Sequence, residues 1–229
     1  MKTIKIILIA TIGVLVIPIF SLFLLSFKST NSNLFQWYIE IVNNENFISA
    51  FLNSFTTSLI VAFISVIIAF ILSPTYYDRK KQIIVLLFLL LMGLMPPDVV
   101  AISINKISQI MGFNRANLIF LYFGLLIYCL PFGIIILWTR YYFIEKDLLV
   151  VSEDLGLSNN SIIFKIILPL SKTALLSVFL FSFLLSFNEY ARTYYLSGST
   201  EILSEYLNGK LSSGTQLITL FMRAGQYPF

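Results

Sequence analysis

The sequence predicts an all-α fold, a polytopic bundle of membrane-crossing helices with five spans and an incomplete sixth. Three observations predict it. Hydrophobic residues fill 58% of the 229 positions and charged residues only 11%, against about 45–50% and about 25% in ordinary soluble domains. The apolar residues fall in runs close to the roughly 20 that a helix needs to cross about 30 Å of hydrocarbon. Those runs lack the period-two alternation of barrel strands, and helices satisfy their own backbone groups where no water can.

The spans are expected at about 6–27, 54–73, 83–104, 118–139 and 173–196. The first follows Lys2 and Lys5 and resembles a signal peptide. Its apolar stretch is longer than a normal signal core and no small-residue cleavage site follows, which favours an uncleaved span. The third is broken by Pro96 and Pro97, and the fourth carries Pro131. Between the first two spans, Trp37 and Tyr38 suit an interfacial anchor.

Charge sets the orientation. With the N-terminus in the cytoplasm, Lys2, Lys5, Arg79, Lys80, Lys81, Arg140, Lys146, Lys165 and Lys172 lie inside, and Lys28, Lys106, Arg115 and Lys210 lie outside. Nine against four follows the positive-inside rule. The formal charge of +4 is thus a topology signal, and nucleic acid is not expected as a partner. There is no histidine, and Cys129 is the one cysteine. Intrachain disulfides and His/Cys zinc clusters are therefore excluded, and Cys129 reads as a small buried hydrophobe. A P-loop is absent, so energy for any pumping has to come from another subunit.

The inside segment 140–172 is more than a connector. Glu145, Asp147, Glu153 and Asp154 come early, and Lys165 and Lys172 late. Gly156 marks a turn, Ser158 is a candidate N-cap for a short helix through Asn159 to Leu168, and Pro169 ends or kinks that helix. Such a hairpin is a surface for docking a partner. An ordinary amphipathic surface hairpin is the plainer alternative.

Within this hairpin, Asp154, Leu155, Gly156, Ile167, Leu168 and Pro169 match the coupling loop of binding-protein-dependent ABC importer permeases. Val150 stands where that family has a leading Glu, and Val151-Ser152 replace its Ala-Ala pair. Further segments resemble the polyamine branch. They are Phe35-Gln-Trp37-Tyr38, Met95-Pro96-Pro97-Asp98, Leu130-Pro131-Phe132 and Ser186-Phe187-Asn188-Glu189-Tyr190 with Ser197-Gly198. The likeness is nearest to the second permease of spermidine/putrescine importers. It implies one permease domain over 1–229, set in the cell membrane. The implied partners are an ATPase dimer, a second permease subunit, an extracellular binding protein and membrane lipid. This chain itself would bind no cofactor, ATP being used by the ATPase partner, and it would not be an enzyme.

Asp98 and Glu189 are the acids placed at membrane depth, and they are the candidate substrate-path residues. A charge at mid-span costs about 2.5–3.5 kcal/mol, so each should face the bundle interior or a watery cavity. Unpaired there, they would attract a di- or tri-ammonium solute. The alternatives are an ion pair of Glu189 with Arg192 on one helix face, and a helix cap at Asp98 after the proline break. Other cargoes (iron, thiamine, sulfate) stay open, as does a stand-alone channel or assembly protein. The apolar stretch from Leu217 to Met222 is too short to span, so a truncated sixth span is expected.

Overall fold

The computed structural model describes residues 13–14, 16–18, 20–21, 23–24, 39, 41–74, 78–113 and 118–224. Most of the 6–27 span, together with Trp37, Tyr38, Lys28 and Arg115, lies outside them. All regular structure among the described residues is helical. The chain divides into two compact units, Met1–Ser49 and Ala50–Phe229. In the first, Asn44 Oδ1 accepts the Phe47 amide at 3.0 Å, and this cap opens helix α1, Glu45–Leu72.

Helix α2 (Arg79–Leu94) and helix α3 (Pro97–Ile110) stand where one broken span is expected. The break follows from the two prolines. A residue before proline is driven to extended backbone, and Met95 (ψ 129°) and Pro96 (ψ 137°) both adopt it. Helix α4 (Leu118–Tyr142) carries Pro131 inside it. The hairpin follows as α5 (Lys146–Asp154) and the start of α6. Helix α6 runs over Asn159–Phe187. Beyond it come α7 (Ala191–Leu196) and α8 (Leu203–Ala224). Among the described helices, α1, α4 and α6 are long and apolar enough to cross a membrane.

Two details of α6 differ from expectation. Pro169 does not end the helix. Instead Ile163–Ile167 forms a π-helical turn in which the Leu168 amide donates to the Ile163 carbonyl. A proline clashes with the carbonyl four residues back and brings no donor. The wider turn just ahead of Pro169 makes room, so hairpin and span are one continuous helix. At the other end, the expected 173–196 span stops at Phe187, and Ala191–Leu196 is a separate helix.

Helix α4 is the spine of the second unit. Its Leu121, Leu125 and Cys129 pack with Val61, Val100, Ala101, Ile104 and Leu196. One turn further, Ile134, Leu137 and Trp138 pack with Ala69, Leu89, Ala174 and Val178. At its end, Tyr141 joins Ile144, Ile162 and Ile167 beneath the hairpin. Cys129 is buried, with Sγ 3.6 Å from the Ser182 carbonyl.

Small residues permit the close helix approaches that membrane bundles depend on. On α1, Ala50, Ser54, Ser58 and Ala62 recur every fourth residue and are buried. Helices α1 and α6 also meet through edge-to-face rings, Phe51 with Phe187, Phe55 with Phe183 and Phe63 with Phe179. The numbers rise on one helix as they fall on the other, so the pair is antiparallel.

Candidate functional site

Two places hold all but Asp98 of the residues singled out by sequence, the hairpin and a cavity halfway along α4.

The hairpin turns at Gly156, whose φ is +78°. Its amide donates to the Glu153 carbonyl at 2.8 Å, and the Leu157 amide reaches the Ser152 carbonyl at 3.1 Å. This paired closure of a helix end needs a left-handed residue, and glycine adopts that conformation without strain. Ser158 then caps the next helix, its Oγ accepting the Ser161 amide. Ile167 and Ile162 pack under Tyr141, while the Arg140 Nε donates to the Leu170 carbonyl at 2.9 Å. The hairpin is thereby fixed to the ends of α1, α4 and α6, since Phe70 packs on the same cluster.

The matched residues divide between two roles. Ile167 is buried, whereas Leu155 is 77% exposed. Val150, Val151 and Phe164 are exposed as well. Ser152, at one of the positions where the family has Ala, is buried and bonds the Leu148 carbonyl. A small side chain is what that packed face admits. The exposed surface mixes these apolar side chains with Glu153, Asp154, Asn159 and Asn160, and no acid stands at Val150.

The second site lies where α6 breaks. The Asn188 amide and its Nδ2 both donate to the Leu184 carbonyl, and the Ser204 hydroxyl donates to the Glu189 carbonyl. Side chains of this kind compete with the helical ladder. Released from the helix, Glu189 turns its carboxylate to Arg192. Oε1 accepts from Arg192 Nη1 at 2.9 Å and from the Arg192 amide at 3.3 Å. The side chains are only 10% and 5% exposed. The Arg192 guanidinium also lies over the Tyr128 ring, 4.4 Å from its centroid.

A cavity of about 270 Å³ borders the pair, lined also by Met92, Met95, Pro97, Tyr128, Pro131 and Phe132. Tyr128 sits near the middle of α4, about 15 Å from Leu118 and about 21 Å from Tyr142 at 1.5 Å per residue. Glu189 therefore shares a cavity with the middle of α4, but it is paired. The ion pair with Arg192 forms across the break between two helices and not along one helix face. Asp98 is elsewhere. It is exposed, in the first turn of α3, and does not line the cavity. Its neighbour Pro97 does. The sequence analysis does not single out Tyr128 and Met92, and it has Met95 and Phe132 only within the segments that carry the resemblance. The available signal was an aromatic with a polar tip one turn ahead of a mid-span proline.

No family model matches the chain. Over 188 residues it is 30% identical to the spermidine/putrescine transport system permease protein PotC of Haemophilus influenzae, covering 78% of this chain and 69% of that protein. Over 200 residues it is 29% identical to the Escherichia coli K12 protein of the same name, covering 82% and 75%. The chain belongs to the PotC family of transport permeases. Membership makes it a membrane-embedded permease and not an enzyme, in keeping with the three long apolar helices.

Proposed function

We propose that this chain is the membrane-spanning permease subunit of an ATP-driven importer for spermidine and putrescine in the cell membrane. The observation that carries the reading is the match to permeases named for that transport system. In this reading the chain forms one permease domain with an N-in topology of five spans and a sixth. The Asp154–Pro169 hairpin faces the cytoplasm and docks on one subunit of an ATPase dimer. A second permease subunit and an extracellular binding protein complete the importer, and ATP is spent on the ATPase. Asp98 at the head of α3 and Glu189 at the cavity are the acids offered to the polyamine path. The exposed Leu155, Val151 and Phe164 support docking through buried area, with no charged contact at Val150.

The test is uptake of radiolabelled spermidine by cells lacking their own polyamine importers, with this chain expressed beside its ATPase, second permease and binding protein. ATP-dependent uptake is expected, and none without the ATPase. In a parallel pull-down, Gly156→Pro should lose the ATPase, and equal recovery would sink the docking role.

One observation favours a second reading, the same machine with another cargo. Among the described residues lining the cavity, the one carboxylate is already neutralised by Arg192. Uptake of a non-cationic solute in place of spermidine would select it.

A further inference from the structure

We propose that Arg192 is a built-in stand-in for the cargo. It occupies the cation's place at Glu189 between transport cycles, and it gives up Glu189 and keeps only the Tyr128 face when an ammonium group arrives. The proposal rests on the polyamine reading above.

The geometry of the pair is what points to exchange. A purely structural Arg–carboxylate pair at this depth is expected to be forked, with two parallel bonds and every donor used. This one is tied at one corner. Both bonds to the Glu189 carboxylate fall on Oε1. No described residue bonds Oε2. On the other side, Arg192 Nε is buried with no hydrogen-bond partner. A donor left buried without a partner thus flanks one short contact, which is unfavourable, and the second carboxylate oxygen belongs to a side chain that lines the cavity.

The surroundings supply what an exchange needs. The cavity opens directly beside both side chains. Its Met92, Met95 and Phe132 suit the methylene stretches of a polyamine, and Glu189 suits an ammonium group. A guanidinium that lets go of Glu189 keeps a partner, since it already lies 4.4 Å from the Tyr128 ring centroid while paired. The Tyr128 ring attracts a cation through its π face without needing a countercharge.

The electrostatics give the device its purpose. If cargo left Glu189 and nothing replaced it, a bare carboxylate would remain in a low-dielectric site, which is strongly unfavourable. A cation so held would leave slowly. Arg192 turns release into replacement, and the site is never left as a lone anion. The same competition weakens cargo binding, so Arg192 sets affinity and turnover in opposite directions.

The experiment is spermidine transport by the complete importer in proteoliposomes, with KM and maximal rate measured separately. For Arg192→Gln, both should fall roughly tenfold, since cargo binds unopposed and leaves unassisted. Arg192→Lys, which keeps a cation, should restore both toward wild type. An Arg192→Gln importer with wild-type KM and rate overturns the proposal. Should Arg192→Gln fail to assemble, the uncharged pair Glu189→Gln/Arg192→Gln decides. A KM raised at least roughly tenfold supports the exchange site, and a wild-type KM overturns it. A wild-type importer that carries no polyamine overturns the functional reading and this proposal together. Polyamine uptake that ignores Arg192 overturns this proposal alone.

Discussion

Gly133 on α4 and Val178 on α6 meet so closely that a β-carbon on Gly133 would stand 3.0 Å from Val178 Cγ1, with Ala69 Cβ at 3.3 Å on the other side. Three helices converge at that point. A β-branched side chain has little freedom to turn away, and Ala69 is held by its own backbone. Gly133→Ala is therefore expected to destabilise the bundle by about 1–3 kcal/mol, the usual range for overpacking. Thermal unfolding in detergent would measure it, and adding Val178→Ala should recover part of the loss. Gly124→Ala is the instructive control. Its β-carbon would come to 2.6 Å of Leu196 Cδ1, but that atom is the far end of a flexible chain. The shorter distance should cost less.

At the hairpin, a β-carbon on Gly156 meets nothing within 4 Å, so only the backbone conformation resists substitution. Gly156→Ala should cost about 1–2 kcal/mol. Gly156→Asn should cost less, because Asn visits the left-handed region more readily. Amide exchange at Gly156 and Leu157 reads the effect directly, because those two amides close the turn. Unchanged protection in the Ala variant would contradict the strain argument.

The Ser73 and Tyr141 hydroxyls are hydrogen-bonded at 2.8 Å, joining the end of α1 to the end of α4 under the hairpin. Tyr141→Phe keeps the buried ring and loses this bond, at a cost of about 0.5–1.5 kcal/mol. Tyr141→Ala also empties the centre of a cluster with Ile144, Ile162 and Ile167, and should cost about 3–5 kcal/mol. Comparing the two in denaturation separates bond from packing. Equal losses would mean that the ring contributes little.

Asp78 caps α2, its Oδ1 accepting the Lys80 amide at 3.0 Å and the Lys81 amide at 3.4 Å. The Lys81 amide, followed by the Lys81 side chain at 3.2 Å, holds the carboxyl below its ordinary value of 3.8. A depressed carboxyl stabilises the folded form above its unfolded value and loses that contribution as pH falls through the folded one. The cap should thus persist from neutral pH down to about 3.8 and fade below it. Amide exchange at Lys80 and Lys81 is the measurement. Asp78→Asn should keep a cap and abolish its acid sensitivity.

Much of the helical framework could be read from the chain because membrane helices are long and locally determined. The 118–139 span lies within α4 and the 54–73 span ends one residue past α1, and the break at Pro96-Pro97 falls where two proline rings force extended backbone. The turn at Gly156 and the cap at Ser158 are equally local. What escaped the reading depends on contacts between distant segments. The π-turn that carries α6 past Pro169 is one case. Another is the end of α6 at Phe187, where Ser204, 15 residues on, bonds the Glu189 carbonyl. Arg192 could be foreseen as a partner for Glu189, but Tyr128 could not, because only the folded bundle brings α4 under that guanidinium.

The Glu189–Arg192 contact has an electrical consequence. A membrane voltage does work only on net charge that moves along the field, about 2.3 kcal/mol per elementary charge for each 100 mV. A carboxylate and a guanidinium 2.9 Å apart sum to zero. Resting at mid-depth, the pair gives the voltage almost nothing to pull on. While the pair stays closed, a membrane voltage finds no net charge on it to act on.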